Sequence, residues 1–307
     1  MNDERIPLPH GSVISLNGNN YIIDNLIGNG GSCLAYSAQR KPSGYEHSIG
    51  IPLTPSVIKE FYPYDLGKDL QRDGVRLIIP TDKKEQFNGL LRRFEKGAVN
   101  QALFFIKDSD HSFAPTRIAV DNNTVYSAVD SVRGDILGNI RAELDMYEIA
   151  QIIQSLCYAV KELHDDGKLH LDIKPSNIFL FNKDSSESRR VAMFDFDTVT
   201  PMSELDTATI SFSEDWSPYE QKNKQRDKIS FATDIYAIGA VLYWLISGNR
   251  ADASVLDDIK RQRFDFFDSL PVLVNKESPR NNLRTLLNRT LKREPSERSQ
   301  NVEDLIE

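Results

Sequence analysis

The chain contains few cysteines for its 307 residues, and their spacing excludes the commonest cysteine chemistry. Cys33 and Cys157 lie far apart and form neither a CxxC pair nor a metal-ligand spacing. A reduced protein is therefore predicted, which indicates a cytoplasmic location. The first residues, MNDERIPLPHG, contain charges and prolines but no apolar stretch, so we expect no secretory signal.

Long apolar runs and an excess of positive charge are also absent. The longest strongly apolar run, IYAIGAVLYWLI at 235–246, is shorter than the roughly 18 to 20 residues that span a bilayer, and it predicts a buried helix. The net charge of -8 and the pI near 5.3 disfavour an electrostatic grip on nucleic acid or on an anionic membrane. We therefore expect neither as a partner.

The composition is that of a globular protein, with 40% apolar and 27% charged residues. The first third alternates strand-like segments with turns, among them SVISL, YIIDNLI, CLAYSAQ and SVIKEFY. Residues 41–55 are rich in Pro, Gly and Ser and predict a long hairpin connection. A helical pattern from about 82 to 105 and a strand at 124–130 complete this part.

Beyond Gly134 the pattern becomes helical. One helix that stops near Gly167 has an apolar face made of Ile149, Ile152, Ile153, Leu156, Val160 and Leu163. A buried helix at 233–248 and at least two amphipathic segments follow. The pattern predicts an α+β fold with two lobes: a small antiparallel β-sheet lobe with one helix at 1–130, and a larger, mainly helical lobe at 131–307.

Glycines and a lysine in the first lobe form a candidate nucleotide site. Gly28, Gly30 and Gly31 lie between two strands, where glycine lets amide groups approach phosphate oxygens. About thirty residues after these glycines, the strand-like segment SVIKEFY carries Lys59. A lysine can hold phosphates as a point charge. A glycine-rich hairpin and a solvated edge lysine are the structural alternatives. The strand-loop-strand context excludes a Rossmann or Walker loop, since both lead into a helix.

The stretch HLDIKPSNIFL at 170–180 carries the second set of candidate residues. Alone it could be a polar turn, but a loop's distance later FDFD supplies Asp195. Asn177 and Asp195 offer hard oxygen ligands of the kind that Mg²⁺ prefers. Asp172 could accept a hydroxyl proton, and Lys174 could offset charge on a transferred phosphoryl group.

This ordered set resembles the eukaryotic-type protein kinase family, and the resemblance extends from Tyr21 to Arg298. The family's motifs match the phosphate-loop glycines, the strand lysine, the catalytic loop, the magnesium aspartate, the hinge in TVYSAVDSVRG and the segment WSPYEQ. By this resemblance Val129 is the gatekeeper, and the backbones of Asp130 and Val132 meet adenine. The D-x-K-P-x-N loop is the serine/threonine-type variant.

The resemblance also implies two structural supports for the site. Asp234 could be a plain N-cap of the buried helix, but in the family it also binds the backbone of the catalytic loop. Glu220 and Arg298 would form a buried ion pair.

Four departures from the family pattern stand out. Cys33 replaces the third glycine of the phosphate loop, and Asp197 replaces the glycine of DFG. Leu171 replaces the arginine that often binds a phosphorylated activation segment, so we expect the unphosphorylated chain to be active. The glutamate expected to pair with the strand lysine is ambiguous, with Glu85 and Glu95 as candidates.

The resemblance implies a serine/threonine protein kinase that uses ATP and Mg²⁺ to phosphorylate a protein hydroxyl. A nucleotide-binding pseudokinase or scaffold, and a kinase-fold enzyme acting on a small molecule, are the alternatives. The match to bacterial members, with DFD and a long connection before the strand lysine, further suggests a partner protein phosphatase.

Overall fold

A computed structural model describes residues 3–42, 44–48, 50, 52–106, 117–131, 133–141, 144–181, 190–269 and 277–306. The chain divides into two compact units, Met1–Val132 and Arg133–Glu307. The first consists mainly of strands and the second mainly of helices. The predicted α+β class is therefore confirmed.

The first unit is built on a six-stranded antiparallel sheet in the order β1-β2-β3-β4-β8-β7. A two-stranded hairpin, β5-β6, stands apart from it. In chain order the elements are β1 (Val13–Leu16), β2 (Asn19–Asn29), β3 (Cys33–Arg40), α1 (Gly44–Ser48), β4 (Thr54–Phe61), β5 (Gln71–Asp73), β6 (Arg76–Ile78), α2 (Lys84–Ile106), β7 (Arg117–Asp121) and β8 (Thr124–Asp130).

Short-range sequence signals explain the first strands of the sheet. Asn17 and Gly18 join β1 to β2, and both have positive φ, 49° and 80°, as the tight Asn-Gly hairpin turn requires. β3 alternates buried and half-buried residues as a strand with one covered face does. The predicted connection between β3 and β4 joins two paired strands and contains the short helix α1.

The long helix α2 packs on the sheet through aromatic side chains. The ring of Phe61, the last residue of β4, lies 5.0 Å from that of Phe87 and 5.5 Å from that of Phe94, centroid to centroid. Both helix residues are almost fully buried. This packing fixes the end of β4 and with it the strand that carries Lys59.

A buried ion pair ties the β5-β6 hairpin to the sheet. Arg72 Nη2 lies 2.8 Å from Glu60 Oε2, and the two side chains are 2% and 0% exposed. The hydroxyls of Tyr36 and Tyr126 also donate to the Glu60 carboxylate. Burial raises the pKa of Glu60, and the contact with Arg72 opposes that rise.

The second unit contains most of the helices. Its elements are β9 (Gly134–Ile136), α3 (Leu137–Ile140), α4 (Met146–Asp165), β10 (Lys168–Leu169), β11 (Ile178–Phe181), β12 (Val191–Met193), β13 (Thr200–Pro201), α5 (Tyr219–Lys222), α6 (Phe231–Ser247), α7 (Ala253–Lys260) and α8 (Glu277–Thr290). Short 3₁₀-helices in the two units are Tyr64–Leu66, Thr81–Lys83, Pro175–Asn177, Phe196–Thr198, Met202–Glu204, Arg226–Lys228, Asp265–Ser269, Pro295–Glu297 and Val302–Leu305.

The two principal helices of this unit have clear start and stop signals. Asp145 and Glu148 form a reciprocal capping box at the start of α4, and the predicted apolar face of α4 is buried. α6 follows Ser230, whose N–H donates to Thr233 Oγ1 (3.2 Å), and it ends at Gly248 with φ 79°. Ser230 occupies the N-cap, so the N-cap alternative for Asp234 is wrong. In the part of the chain that the structure describes, no helix is both long and apolar enough to cross a membrane.

Glu220 and Arg298 form a bidentate ion pair inside this unit. Their two N···O distances are 2.7 and 3.0 Å, and the side chains are only 1% and 0% exposed. The guanidinium also donates to the carbonyls of Ala232, Lys292 and Arg293. The pair therefore joins α5, α6 and the chain beyond α8 through satisfied charges.

We expect Arg298→Met to lower the free energy of unfolding by about 3–5 kcal/mol, because it leaves the Glu220 carboxylate buried without its partner. Urea unfolding measures the change. Lys228→Met is the matched control, since it breaks the exposed Lys228–Glu294 pair (3.0 Å; 41% and 47% exposed) and should lower the free energy of unfolding far less. Equal losses for the two variants would contradict this account.

Candidate active site

Lys59 lies in a row of small residues that crosses four strands. Gly28 is paired with Ala35, Ala35 with Lys59, and Lys59 with Ser127. Directly paired residues share one face of a sheet, so the lysine side chain leaves the sheet on the face where Gly28 has no side chain. Val129, the predicted gatekeeper, is paired with Val57 one row further along this face.

The glycine loop, residues 28–33 at the turn from β2 to β3, is held in part by hydrogen bonds to its backbone carbonyls. The carbonyl of Gly31 accepts from Tyr64 N (2.8 Å), and that of Ser32 accepts from Tyr62 N (3.1 Å). Cys33 begins β3, and its side chain is packed in the buried core of the first unit. Gly30 and Gly31 thus lie in a loop whose chain direction is restrained by residues beyond β4.

The hinge residue Asp130 has an engaged side chain. Its carboxylate lies 3.1 Å from Arg117 Nη1 and accepts from Ser56 Oγ at 3.3 Å. Only its backbone therefore matches the predicted contact with adenine. Val132, the other predicted adenine contact, lies outside the described residues.

The two glutamate candidates for the Lys59 partner differ in exposure. Glu85 is exposed in the first turn of α2. Glu95 is half-buried and follows Phe94, which packs on the strand that carries the lysine.

In the second unit the carboxylate of Asp234 accepts hydrogen bonds from the backbone of the catalytic loop. Oδ2 accepts from the N–H of His170 (2.8 Å) and Oδ1 from that of Leu171 (2.9 Å). His164 Nε2 lies 3.1 Å from Oδ2. Burial alone raises the pKa of Asp234, but the hydrogen bonds from His164 and from the N–H of His170 bring it below its ordinary value. The carboxylate is therefore charged and bonded through both oxygens.

Leu171 has an unusual backbone conformation, with φ 61°. A left-handed conformation at a non-glycine residue costs of the order of 1–3 kcal/mol and persists only where the surroundings hold it. Here Asp234 binds the N–H, and Gln221 Nε2 donates to the Leu171 carbonyl at 2.6 Å. The two contacts fix the peptide units on both sides of the residue that precedes Asp172.

His170 is fully buried and stacks at a tilt on Phe196, with 5.4 Å between ring centroids. Burial lowers the pKa of its imidazole, because the interior does not solvate the charged form. Its Nδ1 accepts a hydrogen bond from the N–H of Asp172 (3.3 Å), so this nitrogen carries no proton and the imidazole is neutral. Thr198 Oγ1 donates to the His170 carbonyl.

The structure brings the predicted catalytic residues into one hydrogen-bond cluster. Lys174 Nζ lies 2.8 Å from Asp172 Oδ2, and Asn177 Nδ2 donates to the same oxygen at 2.9 Å. Asn177 Nδ2 also donates to the Asp172 carbonyl. Asp172 Oδ2 thus accepts from two donors. The other oxygen, Oδ1, faces the activation segment, residues 195–220.

Sequence reasoning missed the role of Ser213 in this cluster. Its hydroxyl donates to Asp172 Oδ1 at 2.6 Å and accepts from Lys174 Nζ at 3.1 Å. Ser213 is one of several hydroxyl residues in the activation segment, and the sequence motifs do not single it out. The sequence signal that could have indicated it is its position three residues before Trp216, the first residue of WSPYEQ.

Asn177 and Asp195 lie at one end of the β11-β12 pair. Ile178 is paired with Met193, and Phe194 N donates to the Asn177 carbonyl (3.1 Å), so Asp195 follows directly. Asp195 has φ 66° and ψ 63°, a left-handed conformation. Asp197, by contrast, is not among the residues with positive φ and lies in a 3₁₀ turn. An aspartate in place of the DFG glycine therefore restricts nothing here, because the left-handed position is two residues earlier.

One carboxylate and one amide oxygen at the end of paired strands fit a magnesium ion that completes its shell with phosphates and water. Among the described residues, no group of three or more His, Cys, Asp and Glu side chains could hold a metal ion by itself.

An apolar cluster holds the activation segment beside Leu171. The buried members are Leu169, Leu171, Leu205, Ile210 and Ile229, and Met202, Ala208 and Phe231 pack against them. Backbone contacts add to this packing: Gln221 Nε2 donates to the Ser211 carbonyl at 2.7 Å, and the Gly167 carbonyl accepts from Met202 N at 2.8 Å. The position of the family's arginine is thus occupied by part of a small core.

These features define a kinase-type catalytic loop and activation segment, and comparison with known proteins agrees. A family model described as the protein kinase domain matches residues 113–306. The chain therefore belongs to the protein kinase domain family.

Bacterial proteins are among the curated relatives of the chain. A probable serine/threonine-protein kinase PknB from Corynebacterium glutamicum is 26% identical over 239 residues, covering 74% of this chain and 31% of that protein. A probable serine/threonine-protein kinase from Corynebacterium efficiens is 31% identical over 133 residues, or 40% of this chain and 19% of that protein. The chain thus spans less than half the length of these relatives.

A solved structure described as the PpkA-294 apo form is similar along nearly the whole chain. It aligns with a TM-score of 0.70 at 25% identity, covering 98% of this chain and 99% of that one. Together with the family match, this likeness shows that the chain has the protein kinase fold.

We expect Ser213→Ala to lower the rate of phosphoryl transfer by about 10- to 100-fold, because Asp172 Oδ1 and Lys174 lose a shared hydroxyl partner, a loss of roughly 1.4–2.8 kcal/mol. The initial rate on a peptide substrate measures this. Ser203→Ala, at an exposed position of the same segment, should leave the rate within twofold. A normal rate for Ser213→Ala would show that this hydroxyl does not support Asp172.

Proposed function

We propose that the chain is a serine/threonine protein kinase that transfers the γ-phosphoryl group of ATP to a protein hydroxyl. The contacts of Asp172 carry this proposal. Oδ1 accepts a hydroxyl hydrogen bond from Ser213 at 2.6 Å, which is the interaction that a general base must make with a substrate hydroxyl. Lys174, 2.8 Å from Oδ2, supplies a positive charge beside the place where phosphoryl charge would develop.

For the nucleotide, we propose one role for each predicted residue of the first unit. Lys59 would bind the α- and β-phosphates, and Gly28, Gly30 and Gly31 would let the loop approach them. Val129 would line the adenine pocket. The backbones of Asp130 and Val132 would bind the adenine edge.

In the second unit, Asn177 and Asp195 would hold Mg²⁺, which neutralises phosphate charge when it is bound. The hydrogen bond from Phe194 to the Asn177 carbonyl keeps these two ligand positions adjacent. Asp234, Glu220 and Arg298 touch no substrate in this proposal. They hold the catalytic loop and the activation segment in place.

The sequence supports a peptide hydroxyl over a small-molecule acceptor. Lys174 and WSPYEQ resemble the peptide-type activation segment of the family. A pseudokinase that only binds nucleotide is the second candidate, but Lys59, Asp172, Asn177 and Asp195 are all retained. A partner protein phosphatase and a cytoplasmic location remain predictions from the sequence.

Labelled ATP and generic peptides test the activity. We expect transfer by the unaltered chain, and losses of about 10²-fold or more for Asp172→Asn, Lys59→Met and Asp195→Asn, since each removes a general base, a phosphate contact or a metal ligand. Asp206→Asn, an exposed position in the activation segment, is the matched control and should keep the wild-type rate. Nucleotide binding without transfer by the unaltered chain would favour the pseudokinase. Wild-type turnover by Lys59→Met or Asp195→Asn would refute the nucleotide site.

We also expect the chain to be active without phosphate on its activation segment, because apolar packing around Leu171 takes the place of a phosphate–arginine contact. Treatment with a phosphatase should leave the initial rate within twofold, with mass spectrometry confirming that residues 195–220 carry no phosphate. A rate that collapses and returns only when Thr198, Thr200, Ser203, Thr207, Thr209, Ser211 or Ser213 is phosphorylated again would contradict this expectation.

A further inference from the structure

A buried arginine before the first strand contacts the glycine loop. The side chain of Arg5 is 0% exposed, and its Nη1 lies 2.8 Å from the carbonyl oxygen of Gly30, 3.3 Å from that of Cys33 and 2.7 Å from that of Tyr62. Its Nε and Nη2 pair with Asp3 at 2.9 and 2.6 Å. A guanidinium is stable in such a place only when its donors are paired, and this one is paired on both sides.

The chain around Arg5 is anchored to the first unit at several further points. The N–H of Leu8 donates to the hydroxyl of Tyr36 at 3.0 Å, and Arg72 Nε donates to the carbonyl of Ile6 at 2.7 Å. On the other side, Asn29 Nδ2 donates to Asp3 Oδ2 at 3.2 Å, just before the loop. The segment 3–8 is therefore a fixed support against which the loop can be held.

Arg5 completes a set of restraints on four consecutive carbonyl groups. The Arg5 guanidinium donates to the carbonyls of Gly30 and Cys33. The N–H of Tyr64 donates to the carbonyl of Gly31, and the N–H of Tyr62 donates to that of Ser32. In a trans peptide the N–H points opposite to the C=O. By holding the Gly30 carbonyl, Arg5 thus directs the N–H of Gly31 to the side away from itself.

The orientation of these peptide units matters for an anion. Phosphate oxygens are attracted by N–H groups and repelled by carbonyl oxygens, and a loop that is already oriented loses less conformational freedom on binding. A loop whose carbonyls are fixed on the protein side therefore binds phosphate at lower entropic cost. The same contacts do little for the adenine end of a nucleotide, because its proposed partners are on β8 and in the hinge.

We propose that Arg5, paired with Asp3, is a positioning residue that presets the glycine loop for the phosphates of the nucleotide. This inference rests on the proposed nucleotide site, but it does not require that phosphoryl transfer take place. It distinguishes Arg5 from a residue that merely stabilises the first unit, because its removal should weaken the binding of ATP and spare that of adenosine.

The test compares two ligands by titration calorimetry with the full chain, namely ATP with Mg²⁺ and adenosine. For Arg5→Gln we expect the Kd of ATP to rise about tenfold while the Kd of adenosine stays within twofold. Asp3→Asn removes the charged partner of Arg5 and so weakens the hold of the guanidinium on the three carbonyls. We expect it to raise the Kd of ATP by about threefold. It decides the matter if Arg5→Gln does not fold.

Arg72→Gln is the matched control, because Arg72 is an equally buried arginine that contacts the same segment through Ile6 but no residue of the glycine loop. It should lower the unfolding temperature without changing the ratio of the two Kd values. The proposal is overturned if the ratio of the two Kd values is unchanged in Arg5→Gln or, where that variant does not fold, in Asp3→Asn. It is also overturned if Arg72→Gln changes the ratio equally. If the ratio changes as expected but the unaltered chain transfers no phosphate, the kinase activity is refuted and the role of Arg5 stands.

Discussion

The catalytic loop depends on one buried carboxylate. Asp234 lies in the first turns of α6, the most deeply buried helix of the second unit, and its two oxygens take the N–H groups of His170 and Leu171. Those peptide units have no regular secondary structure to satisfy them, so without Asp234 their donors would be buried and unpaired. The carboxylate also holds Leu171 in its left-handed conformation, and Asp172 is placed by that conformation. A helix core thus determines the position of a loop residue.

The elements that the sequence predicted well are those whose signals are local. α4 has a capping residue, a regular apolar face and a glycine after its end, and all three can be recognised without knowing what the helix packs against. The Asn-Gly turn between β1 and β2 is similar. The cluster of Asp172, Lys174 and Asn177 was also predictable, because the three residues lie within one short loop and a hydrogen-bond cluster needs little else.

The remaining features depend on contacts between distant segments. The β5-β6 hairpin has strands of three residues, too short for a periodic pattern, and it is held by the Arg72–Glu60 pair across the sheet. Ser213 reaches Asp172 from 41 residues further along the chain. Arg5 resembles any charged residue near a chain's start until its carbonyl partners are known. Each is specified by tertiary structure, which overrides the local preferences that a sequence pattern reports.

The apolar cluster around Leu171 changes the kind of free energy that orders the activation segment. A phosphate held by an arginine is an ion pair, which salt screens and a phosphatase removes. Burial of Leu205 and Ile210 against Leu171 is a hydrophobic contact, which is insensitive to ionic strength and weakens on cooling. Order in the segment is then part of the folding free energy of the second unit. Temperature therefore acts on the order of the segment through this apolar contact.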